Sequence, residues 1–130
     1  TRLGMADVAR GAIAPEEMLP AVAQGAIGVE RRADDAGVAA MLARVHDAET
    51  GLRLAAERAF LLRLDGSCQT PIAGLAVVEG GEVWLRGEIL RPDGSASVSG
   101  ERRGPVDQGA TIGRVLAEEL LERAGPGFFG

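Results

Sequence analysis

The chain has 130 residues, 46% apolar and 25% charged, a balance that excludes a disordered or fibrous chain and suits one domain or one and a fraction. Nineteen acids oppose 14 bases for a net charge of −5, with 10 acids and 8 bases in residues 1–65 and 9 and 6 in residues 66–130, so no basic stripe marks a nucleic-acid binder. No apolar run approaches the roughly 20 residues that span a bilayer, no charged-then-apolar leader opens the chain, and a single cysteine makes neither an internal disulfide nor a Cys-rich zinc site.

Met5 to Ala12 reads as a short helix, and Pro15 with Glu16 and Glu17 suits the first turn of another. A start at Thr1, without a methionine, points to a piece of a longer protein. Pro20 breaks any helix, so Leu19 to Gly25 is a connector with a restricted backbone, and Ala26-Ile27-Gly28-Val29-Glu30 reads as a short strand. Asp34 and Asp35 open a helical pattern carried by Val38, Met41, Leu42 and Val45.

A second helix follows, with Asp47 as its N-cap and Glu49 in its first turn. Glu49–Arg53 and Arg53–Glu57 are spaced as i,i+4 pairs on its exposed face, and Leu52, Ala55, Ala56, Ala59 and Leu62 form the expected buried stripe. Gly66 stops it near Leu64. From Pro71 the period becomes 2. Ile72 to Val78, Glu82 to Leu90 and Ser95 to Arg103 read as strands, joined at Gly80-Gly81 and Pro92-Asp93-Gly94, and connections this short make the sheet antiparallel. Val83, Leu85 and Ile89 share one face; Trp84, Arg86 and Glu88 share the other. Asp107 or Thr111 caps a last helix whose Ile112, Val115, Leu116 and Leu120 cover the sheet. The predicted class is α+β. An α-β-β-β-α domain over 46–130, with helices on one face of a three-stranded sheet, follows the remnants of two α/β domains.

All 14 bases are arginine, and Lys, Asn and Tyr are absent, which is the mark of GC-rich codon usage. The arginines alone therefore identify no site, although each can fork onto a carboxylate. Cys68 is the one strong nucleophile, in the loop Asp65-Gly66-Ser67-Cys68-Gln69-Thr70-Pro71. A lone loop cysteine is either an incidental small residue or a covalent anchor. Its place beyond a helix C-terminus disfavours a turnover thiolate, and nothing brings His46, where the chain enters the Asp47 helix, beside it.

The run Glu57-Arg58-Ala59-Phe60, then Leu64, then Gly66-Ser67-Cys68, then Thr70-Pro71-Ile72-Ala73 closely resembles the cofactor-attachment signature of the porphobilinogen deaminases (hydroxymethylbilane synthases). Leu19 to Glu30 resembles that family's interdomain segment. Arg2-Leu3-Gly4, Pro92-Asp93-Gly94, Gly100-Glu101-Arg102-Arg103-Gly104 and Leu116-Ala117-Glu118-Glu119-Leu120 are further family-like pieces in collinear order. Ser67 and Ala23 stand where many members have glycine.

The resemblance implies that residues 1–19 are the tail of domain 2, 20–45 return to domain 1, and 46–130 form domain 3. It implies a dipyrromethane cofactor held by a thioether on Cys68, with Arg2, Gln24 and Arg58 as further cofactor or cleft contacts. The implied reaction joins four porphobilinogen units head to tail with loss of ammonia, in a cytoplasmic, monomeric transferase of tetrapyrrole (heme or chlorophyll) biosynthesis. The implied partners are the substrate porphobilinogen and the N-terminal domains, with no nucleic acid, membrane or metal. The family's catalytic aspartate lies outside this chain, so the chain alone is expected to be inactive, and residues 1–45, robbed of packing partners, are expected to expose Val38, Met41 and Leu42. The rival expectation is a non-catalytic small-ligand or protein-interaction module of the same fold.

Overall fold

The computed structural model describes residues 4, 8, 10–66 and 70–129. Its elements are α1 (Ala36–Leu42), α2 (Ala48–Arg63), β1 (Ile72–Glu79), β2 (Glu82–Leu90), β3 (Ser97–Pro105), a 3₁₀ turn (Val106–Gln108) and α3 (Gly109–Ala124). The three strands form one antiparallel sheet in the order β1-β2-β3, as the strand pattern and turns require. Gly80 and Gly81 both take positive φ, so the two-residue turn matches the twist of the strands it joins.

One face of the sheet is dry. Val83, Leu85 and Ile89 of β2 are fully buried beneath Phe60 and Leu64 of α2 and Ile112, Leu116 and Leu120 of α3. Gly74, Gly87 and Gly100 lie opposite one another in a row across the three strands. A Cβ on Gly87 would stand 2.5 Å from Cζ of Phe60, so only glycine lets that ring rest on the strand. The helices approach each other just as closely. A Cβ on Gly113 of α3 would overlap the Ala56 carbonyl oxygen of α2, while Gly109 already faces Leu52 and Ala56.

The helices depart from the expected pattern in four places. On α2 the buried residues are Ala56, Glu57 and Phe60, while Ala55 is exposed and Leu62 is 82% exposed. Glu57 and Arg53 turn inward onto β1 instead of pairing on the surface, because peptide groups at a strand edge need partners more than two exposed side chains need each other. On α3 neither Asp107 nor Thr111 caps: the 3₁₀ turn leads in, and Gln108 holds the cap position with no side-chain hydrogen bond. Val115 is exposed, its place in the seam taken by Gly113 and Ala117.

Before Ala48 none of the described residues is buried. The Met5–Ala12 helix falls partly outside the described residues, and Arg10 to Ala14 carry no regular structure; Pro15 to Glu17 form a turn, not a helix. Ala26 to Glu30 is not a strand, since among the described residues no strand lies beside it to pair with, and Ile27 is 92% exposed. α1 starts at Asp35, whose Oδ1 accepts from the Val38 N–H at 2.9 Å, and buries none of its residues. Met41 and Val45 are exposed; Val38 and Leu42 are half-buried.

Asp47 caps α2 as expected, accepting the Thr50 N–H at 2.7 Å, and that hydrogen bond holds its carboxyl below the ordinary 3.8. A depressed folded-state value stabilises above the unfolded value and is lost as pH falls through the folded one. Asp47→Ala therefore lowers the urea midpoint at neutral pH, and the gap to the parent chain narrows once the pH drops below about 4. Gly113→Ala must push α2 and α3 apart, and urea unfolding should register a loss of about 1–3 kcal/mol or more.

Candidate functional site

The loop that holds Cys68 is built from its two stems. α2 ends in a Schellman motif: Asp65 takes φ 53°, its N–H donates to the Leu62 carbonyl at 3.2 Å, and the Gly66 N–H donates to the Leu61 carbonyl at 3.1 Å. The helix stops where expected, but Asp65, not Gly66, supplies the left-handed residue. Gly66 leaves room instead: a Cβ there would press on the Leu61 side chain and stand 2.8 Å from Cδ1 of Ile72, so both side chains would have to shift. On the far side the Ile72 N–H donates to the Thr70 carbonyl at 2.9 Å, and the Leu90 N–H to the Pro71 carbonyl at 3.0 Å. The first stem is therefore held by the last turn of α2 and the second by β2. Cys68 itself, with Ser67 and Gln69, lies outside the described residues, as does Arg2.

Gln24 sits on the segment that crosses β1. The Gly74 N–H donates to the Pro20 carbonyl at 3.0 Å, Ala21 bridges to Ala73, and Val22 packs against the core. Two turns follow, closed by the Gln24 N–H on the Ala21 carbonyl and the Ala26 N–H on the Ala23 carbonyl, each at 3.1 Å. Ala23 takes φ 61° between them, a conformation glycine adopts without cost. Its N–H donates to Oε2 of Glu57 at 2.7 Å, and the Ala76 N–H donates to Oε1 of the same carboxylate at 2.7 Å. Nε of Arg53 donates to the Ala76 carbonyl at 2.8 Å. A cleft of about 190 Å³ remains, lined by Gln24, Thr50, Arg53, Leu54, Glu57 and Gly74 among others.

This cleft borders Thr50 to Glu57 of α2 with Gly74 and Leu75 of β1, and the Cys68 loop joins the C-terminal end of α2 to the start of β1. Gly74, on the cleft wall, is four residues along the chain from Thr70. Arg58 is exposed on α2, lines no part of the cleft, and has no hydrogen bond or ion pair among the described residues. His46 lies against Gly51 at the start of α2 and lines a separate apolar groove with Ile27, Val29 and Leu42.

A second polar group occupies the open sheet face. The guanidinium carbons of Arg86 and Arg103 lie 4.5 and 4.1 Å from the centroid of Trp84, whose Nε1 donates to Glu101 at 3.1 Å. Nη1 of Arg86 pairs with Glu16 at 3.0 Å and holds the Pro15–Leu19 stretch across the sheet, over a cleft of about 440 Å³. Glu16 is held below the ordinary carboxylate value by its own backbone hydrogen bond and by Arg86. Strand alternation placed Trp84 and Arg86 on this face; the link to Glu16, 70 residues away, has no signal in the sequence. Among the described residues no cluster of three His, Cys, Asp or Glu side chains is arranged to hold a metal, and no helix is long and apolar enough to cross a membrane.

Residues 52–122 match the family model described as the C-terminal domain of porphobilinogen deaminase. Residues 1–40 match the model described as the dipyromethane cofactor binding domain of the same protein. The chain is similar, at 65% identity over 129 residues, to a porphobilinogen deaminase of Paracoccus denitrificans (strain Pd 1222), covering 99% of this chain but 41% of that relative. With one domain model over more than half its length and a second ahead of it in the same order, the chain belongs to the porphobilinogen deaminase family.

Proposed function

We propose that this chain is the C-terminal part of a porphobilinogen deaminase and that Cys68 tethers the dipyrromethane cofactor through a thioether. The observation that carries this reading is the 65% identity across 129 residues, a span that takes in both the Glu57–Ala73 signature and the Leu19–Glu30 crossing segment. In this reading residues 1–19 end domain 2, 20–45 cross back to domain 1, and 46–130 form the cofactor-carrying domain 3. The exposure of Ile27, Val29, Met41 and Val45 supports it, because such apolar groups fit an element that packs on chain beyond these residues.

The residues suit the group they would hold. Pinned stems at Gly66 and Thr70–Pro71 keep the base of a tether still, as growth of a covalently held chain demands. Arg58 offers a guanidinium in the signature itself that has no partner among the described residues, matched to an acetate or propionate carboxylate. Gln24 lines the cleft beside α2, and Arg2 matches a family arginine that faces the cofactor and substrate. Bound there, dipyrromethane supplies the pyrrole carbon to which four porphobilinogen units are joined, with loss of ammonia, before hydroxymethylbilane is hydrolysed away. The protein's part here is tethering and orientation. The carboxylate that stabilises positive charge in each condensation is assigned to the N-terminal domains and to no acid of this chain. A thioether resists thiol reductants, which suits a cytoplasmic, monomeric enzyme of tetrapyrrole synthesis.

Protein made in cells that synthesise the cofactor should carry the added mass of a dipyrromethane and colour with an acidic aldehyde reagent for pyrroles. Cys68→Ser should lose both. A free thiol with no adduct in the unsubstituted chain would instead favour a non-catalytic binding module of the same fold. Given porphobilinogen, the 130-residue chain should release no ammonia above background; release would place the catalytic carboxylate within it.

A further inference from the structure

We propose that Glu57 is a positioning residue that latches the crossing turn, and with it Gln24, onto the cofactor-carrying domain. What Gln24 is for rests on the function proposed above; the latch rests on geometry. Glu57 is 4% exposed, and a buried carboxylate persists only when its oxygens are occupied. Both are, by backbone N–H groups from two separate pieces of chain: Ala76, 19 residues on, and Ala23, 34 residues back.

β1 is an edge strand, and along its outer edge the N–H of Gly74 is taken by Pro20. The next outward peptide groups, N–H and C=O of Ala76, meet Glu57 and Arg53, which stand one turn apart on α2. The two side chains thus continue the partial strand that Pro20 and Ala21 begin, and the second oxygen of Glu57 reaches back to hold the turn itself. Ala23 supplies the cost side of the arrangement. Its φ of 61° is disfavoured for alanine, so the turn keeps this shape only while something holds its N–H in place.

Amide hydrogen exchange on the whole 130-residue chain tests this. Glu57→Gln keeps the shape but turns an amide N–H₂ toward one backbone donor. It should speed exchange at Ala23, Gln24 and Ala26 by about tenfold, leaving the α3 amides unchanged. Glu57→Asp keeps both acceptor oxygens and should return part of the protection. Unchanged exchange at Ala23, the same acceleration throughout α2, α3 and the sheet, or an Asp variant no better than Gln would each overturn the latch. Intact mass on the same samples separates the two readings. No pyrrole adduct, with Ala23 protection lost in Glu57→Gln, removes the functional reading and leaves the latch; an adduct with Ala23 protection unaltered removes the latch alone.

Discussion

An edge strand presents peptide groups that must find partners or be left to water, and the outer edge of β1 governs how the rest of this chain is arranged. Pro20 satisfies Gly74, and the Glu57–Arg53 couple satisfies Ala76. Because Glu57 has a second oxygen to offer, the same side chain that closes the edge also grips Ala23. Helix α2, strand β1 and the crossing segment are therefore joined at one buried carboxylate. The cleft beside Gln24 exists because these three elements meet there without filling the space.

The depth at which α2 lies follows from glycines. Phe60 rests on the Gly74–Gly87 pair, Leu116 and Leu120 press on Gly100, and Gly113 lets α3 touch the backbone of α2. With both helices drawn close, α2 reaches the β1 edge with side chains as long as Glu and Arg, and its end is brought against Ile72. Core packing thus also fixes where the described residues on either side of 67–69 lie.

The candidate site has two kinds of origin. Cys68 stands out in the sequence as the one strong nucleophile, and the likeness of the run around it to a known signature favours an anchor over an incidental residue. Gln24 stands out only through the likeness of its segment to a known family. Glu57 and Arg53 carry the geometry between them, yet at i,i+4 spacing they read as an ordinary surface ion pair. Ala23 shows the opposite case: the substitution of alanine at a position often glycine is visible in the sequence, and its φ of 61° explains why glycine is common there.

The sequence by itself determined the strand period, the hairpin turns and the cap of α2. Alternation in Glu82–Leu90, the Gly80-Gly81 and Pro92-Asp93-Gly94 turns and the Asp47 cap are set by residues within a few positions of each other, so local chemistry suffices to read them. The dry face of β2 was legible for the same reason. Only the tertiary structure decided which flank of α2 turns inward, that Val115 stays outside while Gly113 goes in, and that Ala26–Glu30 remains unpaired. Those outcomes depend on what lies opposite. A helix with Ala, Leu and Glu on several flanks has no single preferred face until a strand edge with unsatisfied peptide groups is placed beside it, and an extended segment becomes a strand only when another strand is there to meet it.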